Sequence, residues 1–235
     1  MHIFYEPQII YNGNFLSEEE SFHCIKVLRH KIGDTISVID GLGNNFLCEI
    51  ADASTNKCRI EIKEKIISKF PESKCHIAIA PTKNIDRLEW FVEKSTEIGI
   101  REITPIVCKH SERKIIKPER LEKIITSATK QSMTLWRPIL NPIVSFNDFV
   151  LKSAHLQETQ KFIAYCNEED RTPLKDIYKI NGYVVIIIGP EGDLDRTEIE
   201  FTLNKEFKGV SLGNNRLRTE TAALAACHTI QLLND

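Results

Sequence analysis

No Cys-x-x-Cys occurs in this chain, and its seven cysteines are scattered. Cys24, Cys48, Cys58, Cys75, Cys108, Cys166 and Cys227 form an odd set without paired spacing, which argues against a disulfide framework and against a zinc site. They read as reduced thiols of a cytosolic protein, most of them small core residues. The histidines include no His-x-x-x-His and no Glu-linked pair, so no metal site is expected. No apolar run approaches the roughly 20 residues of a membrane helix. The N-terminal MHIFYEPQII lacks a basic region followed by a long apolar core, so no secretory signal is expected. An excess of positive charge is also missing. A net charge of -2 is not that of a bulk nucleic-acid binder, although a local basic stripe would suffice.

What remains is a chain of 235 residues, 42% hydrophobic and 27% charged, enough for one large domain or two modest ones. Residues 1–70 read as a small β domain. Ile36–Asp40 and Phe46–Ile50 flank a Gly41-Leu42-Gly43-Asn44-Asn45 turn, which is hairpin chemistry. Lys57–Lys65 alternates as a half-buried strand does. Ser17–Leu28 is helix-like, with Ser17 able to cap and Glu20 to answer it. Several short strands with one helix suggest a small barrel. Ser68–Ser73, with Phe70-Pro71 inside it, is the expected boundary, and a second domain is expected over 73–235.

From Lys74 the pattern changes to strand–helix alternation. Cys75–Ala80, Glu102–Val107, Lys161–Cys166 and Tyr183–Ile188 read as strands. A helix opens at Asn84 or Asp86, carries Leu88, Phe91, Val92 and Ile98 at helical spacing, and stops at Gly99. Trp90, Phe91 and Val92 are assigned to the core. Pro118 suits the first turn of a further helix with Leu121, Ile124, Ile125 and Ala128 on its buried stripe. This alternation argues for an α/β fold, a mostly parallel sheet with helices on both faces.

The densest stretch lies at Tyr183–His228. The strand Tyr183–Ile188 stops at Gly189-Pro190-Glu191-Gly192, and Asp195 with Glu198 forms a possible capping box for a helix. A second strand, Gly209–Leu212, ends in a loop over Gly213–Arg218 before a last, alanine-rich helix capped by Thr219 or Thr221. Two glycine loops thus leave strand ends and open onto helices, where free backbone N–H groups and the carboxyl ends of strands gather ligands. No Gly-x-Gly-x-x-Gly follows a strand, which disfavours nicotinamide chemistry.

IIIGPEGD followed by LGNNRLRTETAALAA resembles the two C-terminal motifs of the RsmE-type ribosomal RNA (uracil-N3)-methyltransferases of the SPOUT class, usually GPEGG and LGxRILRTETA. Asp193 replaces the second glycine, and Asn215 stands where arginine is common, with Arg216 following. The resemblance extends to His23, Val27-Leu28-Arg29 and Gly33-Asp34 (HxxxVLRxxxGD), and to Lys83–Ile100, which is similar to KxDRxEWxxxKxTELGV. Lys130 stands where the family has glutamate.

The resemblance implies a deep trefoil knot, an N-terminal PUA-like domain that helps hold RNA, and a homodimer with its site at a two-fold interface. It implies transfer of the methyl group of S-adenosylmethionine to N3 of a uridine in 16S ribosomal RNA of the small subunit. Cofactor contacts fall to Gly189, Pro190, Glu191, Gly192, Leu212, Gly213, Asn215, Leu217 and Thr219. Uracil N3 must lose a proton, so Arg218 is the candidate for stabilising the anion. Glu220 would take the proton or orient Arg218 through a charge-assisted hydrogen bond. Candidate RNA contacts are Lys26, Arg29, His30, Lys83, Arg87, Arg113, Lys114 and Lys117. The wider stretch Lys109–Arg137, where Lys and Arg outnumber Glu112, Glu119 and Glu122, is the expected RNA face. Other readings stay open: the same enzyme class acting on another RNA such as transfer RNA, a non-catalytic RNA-binding or ribosome-assembly factor on this fold, or a small-molecule α/β enzyme.

Overall fold

The computed structural model describes residues 2–71, 74–166 and 171–234. Two compact units separate: residues 1–70 with 126–137, and residues 71–125 with 138–235. Segment 126–137, assigned to the second domain from sequence, thus falls with the first unit. The expected boundary over Ser68–Ser73 includes Glu72 and Ser73, which lie outside the described residues.

The first unit holds strand β1 (Ile3–Tyr5), helix α1 (Glu18–Phe22) continued by a π-turn at His23–Val27, and strands β2 (Thr35–Ile39), β3 (Asn44–Asp52) and β4 (Arg59–Ile67). They form one four-stranded sheet in that order, with β1 parallel to β2 and the rest antiparallel. The β2–β3 turn forms because Asp40 accepts the N–H groups of Leu42 (2.8 Å) and Asn44 (3.2 Å). Gly41 and Gly43 take φ of 75° and 90°, which L side chains avoid. Phe4, Ile36, Val38, Phe46, Cys48, Ile50 and Ile60 fill the core. The domain expected as a small barrel is this sheet, with the Phe15 segment bridged to β4 at Arg59.

Ser17 caps α1 by accepting from Glu20 N–H at 3.3 Å, but the reciprocal half of the expected capping box is absent. Glu6 takes the Ser17 N–H at 2.9 Å instead. Glu20, 5% exposed, receives Lys130 Nζ at 2.6 Å. Lys130 therefore compensates a buried carboxylate, which accounts for a cation at this position. Lys130→Ala would strand that carboxylate and is expected to cost about 2 kcal/mol. Lys130→Arg should retain most of it. Urea midpoints of the two variants test this, and an unchanged midpoint for the alanine would show that the pair contributes nothing.

The second unit runs β5 (Lys74–Ile79), α2 (Ile85–Ile98), β6 (Glu102–Val107), α3 (Pro118–Gln131), β7 (Ile139–Leu140), β8 (Val144–Ser145), α4 (Phe146–Ala154), β9 (Thr159–Ala164), β10 (Thr172–Pro173), α5 (Leu174–Ile177), β11 (Tyr183–Ile188), α6 (Arg196–Leu203), β12 (Lys208–Ser211) and α7 (Thr219–Leu232). The last turns of α3, from Thr126, belong to the first unit. Eight strands form a parallel sheet in the order β10-β12-β9-β11-β5-β6-β7, with β8 also on β6. Both faces are covered. Cys75, Ile77 and Ile79 of β5 and Val184, Ile186 and Ile188 of β11 pack with α2 and α7. The alternating Ala78, Val185 and Ile187 pack with Phe146, Phe149 and Val150 of α4 and Leu194 before α6. Two-sided burial is why these strands read as unbroken apolar runs.

Asn84 caps α2 through Asp86 N–H, and Gly99 closes it at φ 100°. Asp195 and Glu198 complete the capping box of α6. Three expectations need correction. Trp90 is 41% exposed, while Phe91 and Val92 are fully buried: the tryptophan lies off the apolar stripe. Neither Thr219 nor Thr221 caps α7; the N-cap is Arg218, with no side-chain cap bond. Helix α4, capped by Ser145 through Asp148 N–H at 3.1 Å, was not anticipated. Among the described residues no helix is long and apolar enough to cross a membrane, and all seven cysteines are free.

Candidate functional site

The carboxyl ends of β5, β6, β9 and β11 deliver loops that hydrogen-bond to one another. Glu191 Oε1 accepts Lys83 N–H at 3.0 Å. Arg113 holds the same loop by donating to the carbonyls of Thr82 (3.0 Å) and Lys83 (2.8 Å). Lys109 donates its N–H to Glu198 (2.9 Å) and its Nζ to Asp195 (2.8 Å). That ammonium, with the Thr197 hydroxyl and N–H, holds the Asp195 carboxyl well below the usual range.

A cavity of about 300 Å³ opens among these ends, at the lower end of small-molecule sites. Gly189, Pro190 and Glu191 line it from the loop after β11. Leu212, Gly213, Asn215, Leu217 and Thr219 line it from the loop after β12, with Arg216 and Arg218. Gly192 is outside the lining: a Cβ there would lie 3.3 Å from His110 Cβ, so its smallness serves loop packing. Gly189 serves packing as well, since a Cβ would lie 2.8 Å from Leu194 Cγ. Gly213 is different. It faces open space, and its φ of 132° is what demands glycine.

Lining residues not selected from sequence include Tyr165, Cys166, Arg171 and Asp193. Three follow β9, and the rule that ligands collect beyond the carboxyl ends of strands would have pointed to them. Arg171 Nη1 donates to Tyr165 O at 2.7 Å, while its Nε is buried with no hydrogen-bond partner among the described residues. An orphaned guanidinium N–H in a cavity is a group in want of an acceptor.

Asp193 occupies φ 64°, a backbone conformation that favours glycine. Aspartate tolerates it by local hydrogen bonding: Oδ1 accepts Leu194 N–H at 2.9 Å and Oδ2 accepts Cys166 N–H at 3.3 Å. Its carbonyl lies 3.1 Å from His110 Nδ1.

Glu220 does not line this cavity. It is 7% exposed, its Oε1 sits 3.8 Å from Arg87 Nε, and its Oε2 has no hydrogen-bond partner among the described residues. With Asp86, Arg87, Trp90 and Thr221 it borders a separate cavity of about 270 Å³. No hydrogen bond or ion pair joins it to Arg218 among the described residues, so the expected Glu220–Arg218 contact is replaced by Glu220–Arg87.

A larger cavity of about 700 Å³ lies under α4 at the amino ends of the strands. Its polar groups satisfy one another: His76 Nε2 meets Thr104 Oγ1 at 2.7 Å, and Asn141 donates to Glu102 (2.6 Å) and Thr104 (2.8 Å). Burial pushes His76 below its ordinary range, which favours the neutral ring. The cavity with unfilled groups, between the two motif loops, is the better candidate.

Residues 69–231 match the RNA methyltransferase domain family, and residues 16–63 match the RNA methyltransferase PUA domain. The chain belongs to this RNA methyltransferase family. Ribosomal RNA small subunit methyltransferase E of Rickettsia conorii is 31% identical over 93% of this chain and 89% of its own. Among solved structures, a probable rRNA-methyltransferase from Porphyromonas gingivalis superposes with a TM-score of 0.91 at 38% identity, covering 99% of both chains. Ribosomal RNA small subunit methyltransferase E from Neisseria gonorrhoeae, bound to S-adenosyl methionine, gives 0.85 at 27% identity over 100% of this chain and 98% of that one.

In this RNA methyltransferase the expected RNA face is smaller than its charge count. Lys109 is paired with Asp195, Arg120 with Glu89 and Lys130 with Glu20, and Lys83 Nζ lies 2.8 Å from Glu112. Arg113 and Arg87 are held as described. Lys114, Lys117 and Lys123 are exposed and make no ion pair among the described residues. In the first unit Lys26 and Arg29 are exposed, Arg29 at φ 58°, and His30 Nδ1 lies 3.1 Å from Asp34. The Lys31 N–H and His30 hold the Asp34 carboxyl below its usual range.

Packing at Gly189 is testable by compensation. Gly189→Ala drives a methyl into Leu194 and is expected to cost about 1–3 kcal/mol. In the Gly189→Ala/Leu194→Ala double variant the two costs should fall short of additive by at least about 0.5 kcal/mol in denaturant titrations. Strict additivity would contradict the contact.

Proposed function

We propose that this protein methylates small-subunit (16S) ribosomal RNA at N3 of a uridine, using S-adenosylmethionine. The observation that carries the reading is one cavity at the strand ends, lined by both motif loops and by Arg171, Arg216 and Arg218. The residues present fit the cofactor: backbone groups of Gly189–Glu191 and Leu212–Leu217 suit adenine and ribose, and the orphaned Arg171 Nε suits a carboxylate. When bound, the cofactor supplies an electrophilic methyl group. The chain's own work is to position the uracil, receive its N3 proton and stabilise the anion left behind.

Arg218 is the group for the anion. It is exposed at the cavity wall and stands at the N-cap of α7, whose first-turn N–H groups have no side-chain cap and add partial positive charge. Glu220, with an unfilled carboxylate oxygen and Arg87 beside it, borders the neighbouring cavity, so it takes the N3 proton in this reading only where the uracil spans from Arg218 to that cavity. Lys114, Lys117, Lys26 and Arg29 contact RNA phosphate in this reading; His30 does not, since its Nδ1 faces Asp34 and its Nε2 is buried. Arg113 contributes through the loop it holds, while Lys83 and Arg87 are paired with Glu112 and Glu220.

The protein acts in the cytoplasm as a homodimer on the assembled or assembling small subunit. Ala223 and Ala226 of α7 are buried within the protomer's own core, so the small residues of that helix do not argue for the dimer. A deep knot is part of the same reading. It is supported by β12, which lies between β9 and β10, two strands that precede it.

The test is nucleoside mass spectrometry of 16S ribosomal RNA after incubation with protein and cofactor. 3-Methyluridine should accumulate, and Arg218→Ala should lower its rate roughly 100-fold or more with the fold intact. Full activity of that variant would remove Arg218 from the chemistry, and no 3-methyluridine would sink the reading. Reversing Lys114 and Lys117 to glutamate should weaken RNA binding and flatten its dependence on salt. An unchanged affinity would move the RNA face elsewhere.

A further inference from the structure

The loops of the cavity account for an adenine and a ribose, but they do not account for a cluster of charge around the end of β9. Asp193, Arg171 and Arg216 all line the cavity with Cys166. They are close enough to act on the same thiol: burial raises the Cys166 pKa most, Asp193 raises it further, and Arg216 and Arg171 lower it. An anion and two cations thus share one end of a 300 Å³ space.

Each has capacity left over. Asp193 is half-buried, and its two oxygens each accept one backbone N–H, from Leu194 and from Cys166. A carboxylate has about four acceptor sites, so at least one more donor can be received. Arg171 uses Nη1 on Tyr165 O and leaves a buried Nε unfilled. Arg216 is exposed on the facing loop and makes no ion pair among the described residues.

A carboxylate beside guanidiniums would normally close into an ion pair. Here Asp193 accepts the N–H groups of Leu194 and Cys166, and no ion pair joins it to Arg171 or Arg216 among the described residues. The opposite charges are therefore held apart, and a zwitterion suits that arrangement: its ammonium on the carboxylate, its carboxylate on the guanidiniums.

We propose that Asp193, with Arg171 and Arg216, forms the subsite for the amino-acid end of S-adenosylmethionine, Asp193 receiving the ammonium and the arginines the carboxylate. This rests on the cofactor reading above and deepens it. The loop conformation is unaffected in principle by exchange of Asp193 for asparagine or glycine, since glycine, aspartate and asparagine all tolerate φ near 60°.

Calorimetric titration with two ligands isolates the subsite. S-adenosylhomocysteine has the amino-acid end, and 5′-methylthioadenosine keeps adenine, ribose and the thioether without it. Asp193→Asn and Arg171→Gln should each weaken S-adenosylhomocysteine about tenfold or more while changing 5′-methylthioadenosine less than about twofold. Asp193→Gly, which removes the hydrogen bond to Cys166 as well, should reproduce the selective loss and guards against an asparagine that distorts the loop. Equal weakening of both ligands, or of neither, would overturn the subsite and leave the cofactor reading standing. Failure of the wild-type protein to bind either ligand would sink both.

Discussion

The short strand β12 has no edge of its own. It pairs with β9 through Gly209–Ile163 and Val210–Ala164 on one side and with β10 through Thr172–Val210 on the other. Both partners come earlier in the chain, so the last strand, four residues long, is inserted between strands that precede it. From its end the chain must turn at Gly213 and return to pack α7 against α2 and the β5 and β11 face. That return sets the second motif loop beside the first, and both line one cavity, with Arg216 and Arg218 contributed by the second.

The loops around the cavity are held by charged groups bonded to backbone. Glu191 holds Lys83 N–H, Glu198 holds Lys109 N–H, and Asp193 holds Cys166 N–H. These contacts use up residues that look functional by charge alone. Arg113 and Lys109 are the clearest cases, each spent on loop geometry. The groups left for a ligand are fewer: the backbone of the two motif loops, Arg171 Nε, Arg216 and Arg218. Preorganisation of this kind lowers the ordering cost of binding.

Much of this was legible from residue order. Runs such as Tyr183–Ile188 declare a strand buried on both faces because no polar side chain interrupts them. Asp195 and Glu198 declare a cap because the spacing itself makes the hydrogen bonds. What failed were inferences needing a third dimension. Trp90 sits one residue from buried Phe91, and only the helix phase puts it outside. Lys130 looked like an RNA contact until Glu20, far away in sequence, was found beneath it. Glu220 was assigned to Arg218 by proximity along the chain, yet an α-helical first turn points them apart and gives Glu220 to Arg87. Arg171 lay within reach of the strand-end rule, but its role depends on the fold setting it in one cavity with residues 193 and 216.

In the proposed reading, the space between the two motif loops is a preformed cofactor site. The most direct measurement is a crystal structure of the protein grown with S-adenosylhomocysteine. The account predicts ligand density bounded by Gly189–Glu191 and Leu212–Leu217, with those loops moving little from the arrangement described above. Density in the cavity beneath α4, or none in a crystal whose cavity is open to solvent, would contradict it.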